Sequence, residues 1–200
     1  MRYVPFAGLA AVIVFGIGGR AWLRQRRYGS LGIVLFRSRG ARPILYEGLL
    51  LLLSILVIGQ AAAYAAWPQR IFAWMLTRPF NVAGSVALFS GAAVLLRAQL
   101  DLGASWRVGI DEGAAPGLVT GGLYRFSRNP IFTWMLVAAA GCALLIPTWL
   151  SLITLAGSAI CLRAQVLEEE AYLRRSYGTD FLAYASRVGR FLPWMGRLHR

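Results

Sequence analysis

Residues 131–162 read IFTWMLVAAAGCALLIPTWLSLITLAGSAICL, without a charged residue and interrupted only at Pro147-Thr148. A helix needs about 20 apolar residues to cross the hydrocarbon core, and about 17 can suffice. The two runs, Ile131–Pro147 and Trp149–Leu162, therefore read as a tight helical hairpin inside a bilayer. Working outward, three more apolar runs precede it: Val82–Leu96, Ile44–Trp67 and Tyr3–Gly19. Ile44–Trp67 is long enough to cross with tilt, and Tyr3–Gly19 and Ile131–Pro147 are adequate. Val82–Leu96 and Trp149–Leu162 reach the required length only if Arg97 and Arg163 snorkel at the membrane edge or face a polar cavity. Arg2 ahead of the first run gives it the look of a secretory signal. A dense Arg cluster follows it in place of a small-residue cleavage site, so it is expected to stay as a span.

The composition agrees. The 200 residues are 58% hydrophobic and 14% charged, whereas an average soluble domain is about 25% charged. That leaves too little polar surface for a water-facing globule. The long apolar runs exclude a disordered chain, and the 22 Gly residues keep no collagen period. All 21 basic residues are Arg, against 8 acidic ones, for a net charge of +13. In a soluble chain such an excess would suggest nucleic acid, but here the arginines flank apolar runs instead of forming one stripe. Cys142 and Cys161 lie within apolar runs and read as small buried hydrophobes. His199 is the lone histidine and no metal-ligand cluster surrounds it, so no metal is expected. No internal repeat supports a transporter.

The arginines set an expected topology. Segment 20–43 holds seven, 97–130 four and 163–200 seven, leaving only Arg2, Arg70 and Arg78 elsewhere. Five spans with an external N-terminus and a cytosolic C-terminus satisfy the positive-inside rule at every loop. The expected fold is an all-α polytopic membrane protein of about five transmembrane helices. A C-terminal helical hairpin completes it. Residues 1–96 form the N-terminal anchor or scaffold, and residues 97–200 carry the chemistry.

Three features on the cytosolic side exceed what a bundle needs. The loop 101–130 is long and Gly-rich, and such loops usually bind something. Its last part, Gly121-Gly122-Leu123-Tyr124-Arg125-Phe126-Ser127-Arg128-Asn129-Pro130, leads into the fourth span, with Pro130 suited to the first helical turn and Asn129 to its cap. Free N–H groups at a helix start favour a carboxylate or phosphate; an ordinary helix start with two interfacial arginines carries comparable weight. Glu168-Glu169-Glu170 stand just past the last span. Three acids beside anionic headgroups ask for a cationic partner, and an i,i+4 pair of Glu170 with Arg174 accounts for only one of them. A ligand with both a carboxylate and cationic groups would fit the helix start and the glutamates together, and S-adenosylmethionine is one.

The residues Gly122, Tyr124, Arg128, Asn129 and Pro130, then a hairpin, then Glu169, Glu170, Leu173, Tyr177, Gly178, Phe181, Tyr184, Arg187, Val188 and Pro193 form two ordered blocks. This pattern resembles the integral-membrane methyltransferases of the isoprenylcysteine carboxyl and phospholipid types, over about residues 97–194. The resemblance implies S-adenosylmethionine as cofactor, with S-adenosylhomocysteine as product, in a cytosolic pocket closed by the C-terminal segment. It implies cofactor contacts from Arg128, Asn129, Pro130, Glu169 and Glu170, with Leu118, Gly122, Leu123 and Tyr124 lining the same pocket. Arg97 is the positional match to an arginine that holds the acceptor carboxylate, and a snorkelling anchor is the competing reading of it. Phe132, Tyr184 and Arg187 are expected on the acceptor side. Asn129 replaces the commoner His, and Phe132 stands where the isoprenylcysteine type usually carries Tyr, which opens the identity of the acceptor.

The implied activity is methyl transfer to a lipophilic acceptor, a carboxylate or a lipid head group, with the bilayer itself as partner and no nucleic acid. A nicotinamide-dependent membrane reductase and a non-catalytic membrane protein are the alternatives, separable by which cofactor the chain binds.

Overall fold

The computed structural model describes residues 1–38, 40–71, 78–109 and 117–198. His199 and part of the Gly-rich loop, 110–116, lie outside the described residues. The architecture is all-α. Among the described residues five helices follow one another along the chain: α1 (Val4–Tyr28), α2 (Ala41–Ala66), α3 (Arg78–Leu102), α4 (Pro130–Leu145) and α5 (Trp149–Arg187). Among the described residues the only extended pairings are two isolated bridges.

Four of the helices are long and apolar enough to cross a membrane. α1 passes through π-type turns at Val12–Gly19 and ends at Gly29, whose φ of 71° and N–H bond to the Gln25 carbonyl make a left-handed stop. α3 runs past Leu96 to Leu102 with Arg97 exposed, and α5 runs past Leu162 through an exposed Arg163. Both arginines thus extend their helices, as the snorkelling expectation required. Before its break at Gly178, α5 runs without interruption from Trp149 for about 43 Å, well beyond the hydrocarbon thickness. Its second half must leave the bilayer.

α4 is the short helix. The sequence run Ile131–Pro147 is adequate in length, but the helix stops at Leu145 after 16 residues, about 24 Å. Pro147 has no N–H to continue the ladder and disfavours helical geometry at the residue before it, and Ile146 has φ −128° and ψ 73°. Thr148 then caps α5 by accepting from the Ser151 N–H at 3.1 Å, so the connection is Ile146-Pro147-Thr148, one residue longer than the Pro147-Thr148 break in the sequence.

Close backbone approach holds α4 against α3. A Cβ on Gly141 would stand 2.5 Å from the Leu88 nitrogen, and one on Gly91 would stand 2.7 Å from the Ala138 nitrogen. In lipid, where apolar side chains gain little by leaving one lipid-like phase for another, such small-residue contacts supply the packing. Leu88, Ala138, Cys142, Leu145 and Ile146 fill the space around them, together with Ala61 of α2. Both cysteines are free and buried. Near the hairpin turn, Gln60 of α2 donates to the Thr148 and Ser151 hydroxyls at 2.7 and 2.9 Å, tying α2 to α5.

The packing makes a clear prediction. Gly141→Ala forces α3 and α4 apart and should cost about 1–3 kcal/mol. Gly59→Ala, where nothing lies within 4 Å, should be neutral or slightly stabilising. Unfolding titrations with a denaturing detergent read both; equal stability of the two variants would contradict the packing.

Candidate functional site

The three Arg-rich segments converge at one end of the bundle. Arg20, 8% exposed, donates to the carbonyls of Gln99 and Gly103 at 2.9 and 3.3 Å, satisfying the end of α3. Its guanidinium also lies 5.4 Å from the ring of the buried Trp106. The α1–α2 loop pairs with the segment after α3: Val34 N–H bonds to Val108 O at 2.9 Å, and Val108 N–H to Gly32 O at 2.8 Å.

The Gly-rich loop is fixed at its far end by Asp101. Leu123 donates its N–H to Asp101 Oδ2 at 2.8 Å, and Arg97 Nη2 holds Oδ1 at 3.0 Å. Gly122 has φ 57°, and any Cβ there would strike the Asp101 carboxylate. Only glycine satisfies both constraints. Arg97 itself is 67% exposed, and among the described residues Asp101 is its one ion-pair partner.

The start of α4 is fixed by a charge cluster. Arg128 donates from Nε and Nη2 to Glu170 Oε1 at 3.0 and 2.8 Å. Its remaining donors reach the carbonyls of Ala185 (3.1 Å), Val188 (2.5 Å) and Gly196 (3.0 Å). All five N–H groups of the fork are thereby used. Arg190 takes the other side of the same carboxylate, with Nη2 at 2.8 Å from Oε2 and Nε at 3.1 Å from both oxygens. Glu170 therefore pairs with Arg128 and Arg190, not with Arg174 four residues on. Asn129 stands at the cap position of α4, but its carboxamide does not cap; it donates to Arg190 O at 3.1 Å. The backbone N–H groups of Arg128 and Asn129 bond to Gly189 O and Arg190 O. The C-terminal segment thus folds back on the start of α4 and is stapled there.

α5 kinks at Gly178, where φ is 48° and ψ −118°. Beyond the kink, Phe181, Tyr184, Ala185 and Val188 form a buried cluster against Leu118, Leu173, Tyr177 and Leu198. Tyr184 donates to Tyr124 O at 2.6 Å, and the Gly117 N–H donates to the Tyr177 hydroxyl at 3.0 Å. Burial pushes the Tyr124 hydroxyl well above its ordinary range, and the neighbouring Glu169, Tyr184 and Asp101 push it further, so it stays protonated.

Glu169 stands apart from this bonding. It is half-buried, has Arg107 and Glu170 as charged neighbours, and accepts no hydrogen bond among the described residues. Glu168 is half-buried beside it. Arg107 in turn lies 5.7 Å from the Tyr172 ring. The structure brings Leu118, Leu123, Tyr124, Glu169 and Tyr184 near one another, and Arg128, Asn129 and Glu170 are bonded into the cluster at the start of α4. Phe132 stays half-buried on α4, and Arg187 is exposed, bonded to the Ala183 carbonyl of its own turn at 3.1 Å. Sequence reasoning missed Asp101 and Arg190. Asp101 was signalled by its i,i+4 spacing from Arg97; Arg190 had no local signal, because its partner is 20 residues away.

A polytopic α-helical bundle with this loop, hairpin and stapled C-terminal segment has the form of an integral-membrane methyltransferase. The family model of the phospholipid methyltransferases matches residues 80–180, and the chain belongs to that family. The match takes in Asp101, Gly122, Arg128 and all three glutamates, and it ends just past the kink. No curated protein matched the chain.

Arg128→Lys keeps one charge but replaces five fixed donors by three on a flexible stem. Breaking a buried pair costs about 3–5 kcal/mol, so the staple should open on the order of 100- to 1,000-fold more often. Trypsin cleavage after Arg190 in the folded protein should quicken by about that factor. Unchanged cleavage would show that the cluster does not hold the segment.

Proposed function

We propose that this protein transfers a methyl group from S-adenosylmethionine to a lipophilic acceptor at the cytosolic face of the membrane. The observation that carries this reading is Glu169: a half-buried carboxylate with no hydrogen-bond partner among the described residues, beside a loop that Asp101 and the Arg128 cluster hold in place. Half-buried carboxylates at such a site favour a cationic ligand. The cofactor has an ammonium and a sulfonium, and the donor set fits it. Glu169 would hold the ammonium, and Leu118, Gly122, Leu123 and Tyr124 would wall the cavity. Arg128, Asn129, Pro130 and Glu170 would act by shaping that wall, since their polar groups are bonded to one another and to the C-terminal segment. When bound, the cofactor supplies a methyl group activated by the positive sulfur.

The chain's own contribution is positioning and exclusion of water. Arg97 Nη2 holds Asp101, and the other donors of its fork remain for an anionic group on the acceptor, a carboxylate or a lipid phosphate. Phe132, Tyr184 and Arg187 remain the proposed acceptor-side residues. A carboxylate acceptor needs no base. An amine acceptor has a proton to lose, and Glu169 is the carboxylate placed to take it. α1 and α2 serve as scaffold, and the end where the arginines converge faces the cytosol, as the positive-inside rule requires.

Glu169→Gln should weaken S-adenosylhomocysteine binding by about 1.5–3 kcal/mol, the range for a charged hydrogen bond. Arg174→Gln on the exposed face should change it by less than about 0.5 kcal/mol. Calorimetry in lipid nanodiscs measures both; unaltered affinity in Glu169→Gln, or binding of NADPH instead, would refute the assignment.

Arg97→Ala separates acceptor from cofactor. With an anionic acceptor, turnover of labelled methyl groups should fall about tenfold or more, as expected for one lost charged hydrogen bond. S-adenosylhomocysteine affinity should hold to within about twofold. Full turnover on the best substrate would remove Arg97 from the site.

A further inference from the structure

The stapled C-terminal segment carries an outward face that the methyl-transfer reading does not use. Leu192, Trp194 and Met195 are 49%, 73% and 64% exposed, and Phe126, preceding the Ser127 that bonds to Arg190 O, is 48% exposed. They sit on a tight turn: Gly189 lies so close under the Leu192 carbonyl that no Cβ fits, and Trp194 has a φ of 67°. Two observations say what covers this face. The first is depth. Thr133, in the first turn of α4, donates to Phe191 O at 3.1 Å. α4 is shorter than the hydrocarbon core, so its first turn lies at the hydrocarbon edge, and the turn beside it lies at the same level. The second is backbone bonding. Every carbonyl from Val188 to Leu192, and those of Met195 and Gly196, accepts a hydrogen bond within the protein. A water-facing loop has no need of this, whereas irregular backbone beside an apolar phase requires it; at the tip, the Pro193 and Trp194 carbonyls accept none among the described residues, which sets the turn at the boundary and not in the hydrocarbon. Arg187 and Arg197 flank the turn along the chain, cations of the kind that suit anionic headgroups.

We propose that the Leu192–Met195 turn is an interfacial anchor, inserted by its Leu, Trp and Met side chains into an anionic lipid leaflet. Tryptophan favours that boundary because its ring is apolar and its N–H remains near water. Arg190 N–H holds Met195 O at 2.8 Å while the Arg190 side chain holds Glu170. The anchor therefore joins the membrane surface to the residue preceding the clamp, Glu169.

The test measures depth and does not depend on catalysis. In full-length protein carrying Cys142→Ala and Cys161→Ala, Trp194→Cys is labelled with a nitroxide and placed in nanodiscs of mixed phosphatidylglycerol and phosphatidylcholine. Collisions with oxygen should exceed those with a water-soluble nickel chelate several-fold, as at the lipid-facing control Ile153→Cys and unlike the aqueous control Arg175→Cys. Met195→Cys repeats the reading where position 194 disturbs the turn. Labels at both positions as open to the chelate as at Arg175→Cys would overturn the anchor. Equal depth in pure phosphatidylcholine would overturn its preference for anionic lipid.

Discussion

One buried carboxylate, Glu170, lies between the guanidinium groups of Arg128 and Arg190, and the ends of three chain segments depend on it. Arg128 opens α4, Glu170 belongs to the long α5, and Arg190 begins the segment that folds back over both. Bringing three charges out of water is costly, and the attraction among them repays that cost only with good geometry and full hydrogen bonding. Both conditions are met here. All five donors of Arg128 are used, and both oxygens of Glu170 are bonded. The same guanidinium that pairs with Glu170 also satisfies the carbonyls of the returning segment.

That constraint propagates to the site. With the α4 start and the α5 tail locked together, the face of α5 bearing Glu169 is held next to Tyr124. The Gly117–Tyr124 loop is then fixed from both sides, by Tyr177 and Tyr184 from the tail and by Asp101 from α3. A half-buried acid that accepts no hydrogen bond among the described residues is an expensive feature in a chain with only eight acidic residues. Its persistence beside a pre-formed loop is the physical reason to assign it to a cationic ligand. The remaining two glutamates differ in kind, one bonded within the clamp and one half-buried alongside.

Much of the fold was legible because bilayer insertion leaves a one-dimensional signature. Apolar runs located all five helices, Pro147-Thr148 located the hairpin turn, and the Arg-rich segments did come together at one end. Helix ends were less legible. The stop at Leu145 follows from the influence of Pro147 on the residue before it, and the extension of α5 to Arg187 follows from a polar helix that hydropathy does not mark. At the site, the residues Arg128, Asn129 and Glu170 were found but their contacts were not. Sequence spacing offered Arg174 to Glu170, whereas the structure supplies Arg128 and Arg190 from 42 and 20 residues away. Pairings across such distances depend on the return of the chain after Gly178, and no local pattern encodes them.

The central claim is that Glu169, beside the loop held by Asp101 and the Arg128 cluster, takes a sulfonium cofactor. Hydrogen exchange of the full-length protein in nanodiscs, with and without S-adenosylhomocysteine, tests it most directly. The account predicts slower exchange on ligand addition in residues 117–125 and 165–173, with the membrane-embedded helices unchanged. No protection in either segment, or the same protection from NADPH and none from S-adenosylhomocysteine, would contradict it.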